Sequence, residues 1–153
     1  MMPYITKGWF LKGSKPVVKT TYCKGRISIF GALSKDELSA QMTEEKCDNK
    51  TYLQFLKSLL RKFGKILIVI DGASYHFEKE HIQKFYEDKK EVLKIIQLPA
   101  YSPELNPIEQ SWKKVKKWLA LSLWSTKEEF EIRICEALNN RDFMTELYDY
   151  YVP

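Results

Sequence analysis

The run Ile66-Leu67-Ile68-Val69-Ile70 constrains the fold more than any other stretch of this chain. It is five apolar residues long, four of them β-branched, and it ends abruptly in Asp71-Gly72. Five residues are too few for a helix and far too few to cross a membrane. A continuous apolar run with no alternation is expected to be a central strand covered on both faces, as in an α/β sheet. Ligands of such sheets bind beyond the carboxyl ends of the strands, which makes Asp71 a candidate for chemistry. The competing reading is a plain Asp-Gly turn, with Asp71 accepting local backbone hydrogen bonds.

The rest of the chain fits strands and helices around that run. Pro16 to Tyr22 (PVVKTTY) is rich in β-branched residues, and Arg26 to Leu33 (RISIFGAL) alternates. The two are expected to pair as a hairpin across a Lys24-Gly25 turn. Residues 34–50 are polar and read as loop. Tyr52, Phe55, Leu56, Leu59 and Leu60 recur at helical spacing, which predicts a helix from Thr51 to Phe63 stopped by Gly64. A helix over Glu78 to Asp88 and a strand over Val92 to Leu98 follow, the strand closed by Pro99. Ser125-Thr126 with Glu128 and Glu129 forms a capping pattern that starts a helix through about Leu138. A short final helix is expected over Asp142 to Tyr151. The predicted order is β-β-α-β-α-β-α-α, a mixed sheet with helices on its faces, in one domain spanning residues 1–153.

Between the last strand and the Pro107 to Leu121 helix lies QLPAYSPELNPIEQSWKKVKKW, Gln97 to Trp118, with prolines at Pro99, Pro103 and Pro107. Asn106 suits an N-cap, Pro107 suits the first helical position, and Glu109 then occupies the return position of a capping box. Glu109 also precedes Lys113 by four residues, a favourable helical pair. At about 100° per residue, Ile108, Trp112, Val115 and Leu119 form the core stripe, and Glu109 sits at its border. A carboxylate there can look toward a strand end. Carboxylates fixed on a strand terminus and a helix terminus are what a hard divalent cation such as Mg²⁺ or Mn²⁺ needs.

Charge points to an anionic partner. The net charge is +5. Residues 1–35 hold seven Lys and Arg and no acid, and residues 110–127 hold Lys113, Lys114, Lys116, Lys117 and Lys127, again with no acid. Two such tracts favour a nucleic acid over a generic solvated surface. The three cysteines, Cys23, Cys47 and Cys135, are far apart and include no CxxC, which argues against a disulfide framework or a zinc site and suits a reducing cytoplasm.

VIDGASYH (Val69 to His76) followed by LPAYSPELNPIEQSWKKVK resembles the catalytic domain of the mariner-like and bacterial insertion-sequence transposases, the DDE superfamily endonucleases. The matching residues are Leu98, Pro99, Tyr101, Ser102, Pro103, Leu105, Asn106, Pro107, Ile108, Glu109 and Trp112, with thirty-seven residues between Asp71 and Glu109. WFLKGSKPVV at Trp9 to Val18 is similar to a further stretch of that family, so the resemblance covers roughly residues 8–138. It implies an RNase H-like fold, with Asp71 and Glu109 as two of three metal-binding catalytic acids. It also implies a DNA-contact role for His76, with Lys113, Lys114, Lys116 and Lys117 meeting the DNA backbone. Gly72 departs from the family, which usually has Asn there.

The family's first catalytic Asp stands on a first central strand before the tryptophan-lysine-glycine segment. Here the first acid in the chain is Asp36. The chain is therefore expected to be truncated at its N-terminus, to lack that strand, and to lack the helix-turn-helix region that reads transposon ends. The sheet is then left with a gap or open edge, closed by a rearranged N-terminal hairpin or by dimerisation. The expected function is metal-dependent DNA strand cleavage and transfer, inactive alone for want of the first acid. The alternative is a non-catalytic remnant, nucleoid-associated in the cytoplasm, that binds DNA or pairs with full-length transposase. A different RNase H-like nuclease is a third reading.

Overall fold

The structure, a computed structural model, describes residues 9–15, 26–72, 80–120, 122 and 124–144. The expected strand over Pro16 to Tyr22, the Lys24-Gly25 turn and His76 lie outside the described residues.

The first strand, β1 (Ser28–Leu33), pairs with β2 (Leu38–Thr43) as an antiparallel hairpin, Leu33 opposite Leu38 and Ser28 opposite Thr43. The turn between them is held by Ser34, whose N–H donates to Glu37 O while its Oγ accepts from the N–H groups of Asp36 and Glu37. This corrects the reading of residues 34–50 as loop. Leu38–Thr43 (LSAQMT) alternates Leu, Ala and Met with Ser, Gln and Thr, a strand pattern set inside an otherwise polar stretch, and its Met42 packs against the second core described below.

Helix α1 (Asn49–Phe63) starts from a capping box that the sequence reading missed: Asp48 Oδ1 accepts from Thr51 N–H at 2.9 Å, and Thr51 Oγ1 accepts from Asp48 N–H at 3.0 Å. It stops at Gly64, whose φ of +74° is a left-handed conformation that glycine adopts without strain. Strand β3 (Ile66–Ile70), helix α2 (Glu80–Asp88) and strand β4 (Leu93–Gln97) complete a parallel β-α-β unit, in register from Ile66–Leu93 to Ile70–Gln97. Helices α3 (Ile108–Ala120) and α4 (Lys127–Asn139) follow. Thr126 caps α4 by accepting from Glu129 N–H, and Glu129 returns its carboxylate to Ser125 N–H, so the predicted capping pattern forms. Residues Arg141–Phe143 form one 3-10 turn, and most of the helix expected over Asp142 to Tyr151 lies outside the described residues.

The described residues thus build a mixed α/β arrangement of four α-helices and two separate two-stranded sheets, β1-β2 and β3-β4. Two cores lie on opposite faces. Phe30, Tyr52, Phe55, Leu56, Leu59, Ile82 and Leu93 join β1 and the β3-β4 sheet to α1 and α2. Val115, Leu119, Ile134 and Ala137, with Ile29 and Met42 against them, join α3 and α4 to the other face of the hairpin. The expectation that β3 is covered on both faces does not hold. Ile66 and Ile68 pack on the first core, while Leu67 and Val69 are 59% and 42% exposed. No helix among the described residues is long and apolar enough to cross a membrane.

Candidate active site

Asp71 stands immediately beyond β3, at the end where Leu98 N–H extends the parallel ladder to Ile70 O at 2.8 Å. Pro99 then removes the next donor and ends β4. Tyr101 follows, fully exposed and with φ at +58°, a left-handed conformation costly for a bulky aromatic. Pro103 opens a 3-10 turn, Pro103–Leu105, closed by Leu105 N–H to Ser102 O and Asn106 N–H to Pro103 O, both at 3.1 Å. Glu109 N–H to Asn106 O and Gln110 N–H to Pro107 O, again at 3.1 Å, start α3. The three prolines therefore end a strand, open a turn and lead into a helix, and together they fix where Glu109 lies.

The purely structural roles read for Glu109 are not realised. Its carboxylate forms no capping box with Asn106, and it makes no ion pair with Lys113, whose Nζ lies 3.5 Å from Gln110 Oε1 instead. Glu109 is half-buried, and it lines the same cleft as Asp71, a space of about 590 Å³ between β1, β3 and the start of α3. Two carboxylates from elements remote in sequence thus line one cavity. Ile108, Val115 and Leu119 are buried as their spacing predicts, and Trp112 is partly buried. Ser111 is fully buried among them, which the stripe did not predict.

Beside the second core, α3 is seated on β1 by a contact that sequence reasoning missed. Gly31 of β1 lies under the Trp112 ring, so that a Cβ built on it would stand 2.8 Å from Trp112 Cη2 and 3.2 Å from Ile108 Cδ1. The glycine is needed for this close approach and not for its backbone conformation. The only advance signal was a glycine inside an alternating strand.

The lysine face of α3 divides in two. Lys113, Lys116 and Lys117 are exposed. Lys114 is engaged, donating to Asp142 O at 3.1 Å and Met144 O at 3.2 Å, where it ties the segment after α4 to α3. Among the described residues no group of three His, Cys, Asp or Glu is placed to hold a metal ion. The two carboxylates have the hard oxygen chemistry that Mg²⁺ and Mn²⁺ select, and they make two strong donors rather than a full set.

Residues 2–131 match a protein family described as DDE superfamily endonuclease. No curated protein matches the chain.

Proposed function

The chain belongs to the DDE superfamily endonuclease family, and from that premise we propose that it is a transposase catalytic domain with an RNase H-like fold, built for metal-dependent cleavage and transfer of DNA strands. The observation that carries this reading is the convergence of Asp71 and Glu109 on one cleft. Enzymes of this superfamily act on DNA and generally use divalent metals. In this chain Asp71 and Glu109 are the residues to hold Mg²⁺ or Mn²⁺. When bound, such ions activate the attacking oxygen and stabilise the leaving one in phosphodiester chemistry.

The protein's own contribution is positioning. Strand β3 and the Trp112–Gly31 contact hold the two carboxylates on separate rigid elements. Lys113, Lys116 and Lys117, within about 80° of Glu109 around α3 at ~100° per residue, meet the DNA backbone and set its register without reading sequence. His76 is assigned to the same DNA contact on family resemblance. Tyr101, exposed at the turn between the two acids, offers an aromatic face to an unstacked base.

A second reading is favoured by the carboxylate count. With two acids in the cleft and no third among the described residues, the isolated chain cuts DNA weakly or not at all. It then acts as a DNA-binding or regulatory partner of itself or of an intact transposase. A gel shift run beside a nicking assay in Mg²⁺ or Mn²⁺ separates the two. Nicking abolished by Asp71→Asn and by Glu109→Gln supports the enzyme. Salt-sensitive binding without nicking, unchanged in Asp71→Asn, supports the regulator. Absence of both binding and nicking overturns the assignment to DNA.

A further inference from the structure

Several cations of this protein are neutralised by an acid: Lys62 pairs with Glu37, Lys127 with Glu44 and Glu131, and Arg133 with Glu136. Lys57, Arg61 and Lys89 are not. All three are exposed, and none has an ion pair among the described residues. They line one cleft of about 540 Å³ between the second half of α1 and the end of α2. The acids next to Lys89 in sequence, Glu87, Asp88 and Glu91, are not part of its lining. Lys57 Nζ stands 5.8 Å from the centroid of the Phe85 ring, across the gap between the two helices.

The charge there is not offset locally. Lys57 and Arg61 are four residues apart on α1, a like-charge pair that disfavours the helix. The C-terminal poles of α1 and α2 supply about half a negative charge each, which against three unit cations leaves about two positive charges. The apolar lining, Leu60, Phe85 and Val92, is half-buried, and Leu60 and Phe85 pack their other faces on the first core. Little apolar surface is left to anchor an amphipathic peptide. A repeated, point-like anion fits better, and a phosphodiester backbone is one.

Helix α1 separates this cleft from the candidate active site. Tyr52, Phe55, Leu59 and Phe63 line the cleft that holds Asp71 and Glu109, whereas Lys57, Leu60 and Arg61 line this one. At ~100° per residue the two sets point about 150° apart around the helix. We propose that the cleft between α1 and α2 is a second, separate seat for a DNA backbone, behind α1 as seen from the two acids. The proposal rests on the reading of the chain as DNA-binding and stands whether or not the chain cuts DNA.

NMR titration of the full chain with a short blunt DNA duplex, without divalent metal, tests it residue by residue. The amides of Leu60 to Gly64 and Lys89 to Val92 shift with the duplex. Their affinity falls with salt at a log-log slope of about 2.7, or about 0.9 for each of three cations. The triple variant Lys57→Gln, Arg61→Gln and Lys89→Gln weakens that response on the order of tenfold or more and leaves the response at the start of α3 in place. A charge-matched variant at exposed cations outside both clefts, Lys46→Gln, Lys94→Gln and Arg141→Gln, leaves both responses within about twofold. Equal weakening by the two triple variants, or no shifts at those stretches while α3 responds, overturns the proposal and leaves the DNA reading standing. Loss of the response behind α1 in Lys113→Gln, Lys116→Gln and Lys117→Gln together shows one continuous surface and also overturns it. No binding of the duplex anywhere overturns both. Decaglutamate that shifts the same amides at lower concentration than the duplex assigns the cleft to an acidic protein segment and overturns the choice of DNA.

Discussion

Gly31→Ala is the smallest change that reaches the candidate site without touching a carboxylate. Gly31 has no left-handed backbone to protect. Replacing a strand glycine by alanine would otherwise stabilise by about 0.5–1 kcal/mol, through a less flexible unfolded chain. The contact with α3 reverses the sign. The new methyl would stand 2.8 Å from Trp112 Cη2, with Cζ2 nearer still, against about 3.5–4 Å for relaxed carbon atoms. Strand β1 cannot retreat, because Phe30 on its far face stacks on Phe55 at 5.7 Å between ring centroids. So the Trp112 ring, or α3 with it, moves by about 1 Å. Overpacking of this kind costs about 1–3 kcal/mol, which set against that gain leaves a net loss of up to about 2.5 kcal/mol. Urea unfolding of Gly31→Ala, Trp112→Leu and the double variant measures it. The double variant recovers most of what Gly31→Ala loses, a coupling of about 1 kcal/mol or more. Gly31→Ala at least as stable as the parent, or strictly additive effects, would refute the close-packing argument.

Other outcomes follow from single contacts. Leu56 is fully buried in the first core, so Leu56→Ala lowers stability by about 2–5 kcal/mol in the same urea assay. The Asp48 carboxyl is held below its ordinary value, chiefly by the backbone hydrogen bond from Thr51. A depressed folded pKa contributes stability above the unfolded value of about 3.9, and that contribution is lost as pH falls through the lower folded value. Asp48→Asn, which still caps, therefore flattens the acid limb of the stability curve below about pH 4; urea midpoints across that range read it. Replacing Lys116 and Lys117 together by alanine reduces the slope of log binding constant against log salt for DNA by about 2, in a fluorescence titration.

The sequence was most legible where one physical demand dominates. The apolar run Ile66–Ile70 could only be a strand, and the prolines of Gln97 to Trp118 could only end one element and begin another. Both placed Asp71 and Glu109 close to where they stand. It was least legible where two demands compete. Leu38–Thr43 alternates apolar and polar side chains over only six residues inside a polar, charged stretch, so β2 read as loop. The same apolarity that identified β3 suggested cover on both faces, yet Leu67 and Val69 are exposed. Nothing local in the sequence encodes how two sheets stand apart. Lys114 looked like its neighbours on α3, and only the return of the chain after α4 gives it carbonyl partners. Gly31 could be flagged as unusual in a strand, but its partner, Trp112, is eighty-one positions away.

Asp71 and Glu109 are proposed to form one cation site. Paramagnetic broadening by Mn²⁺ in NMR spectra of the full chain tests it most directly, with no demand for catalysis. A shared site gives broadening centred on two stretches at once, Ile70 to Gly72 and Ile108 to Gln110, weakened at both by either Asp71→Asn or Glu109→Gln. Broadening confined to one stretch, or unaffected at Glu109 when Asp71 is changed, would contradict it.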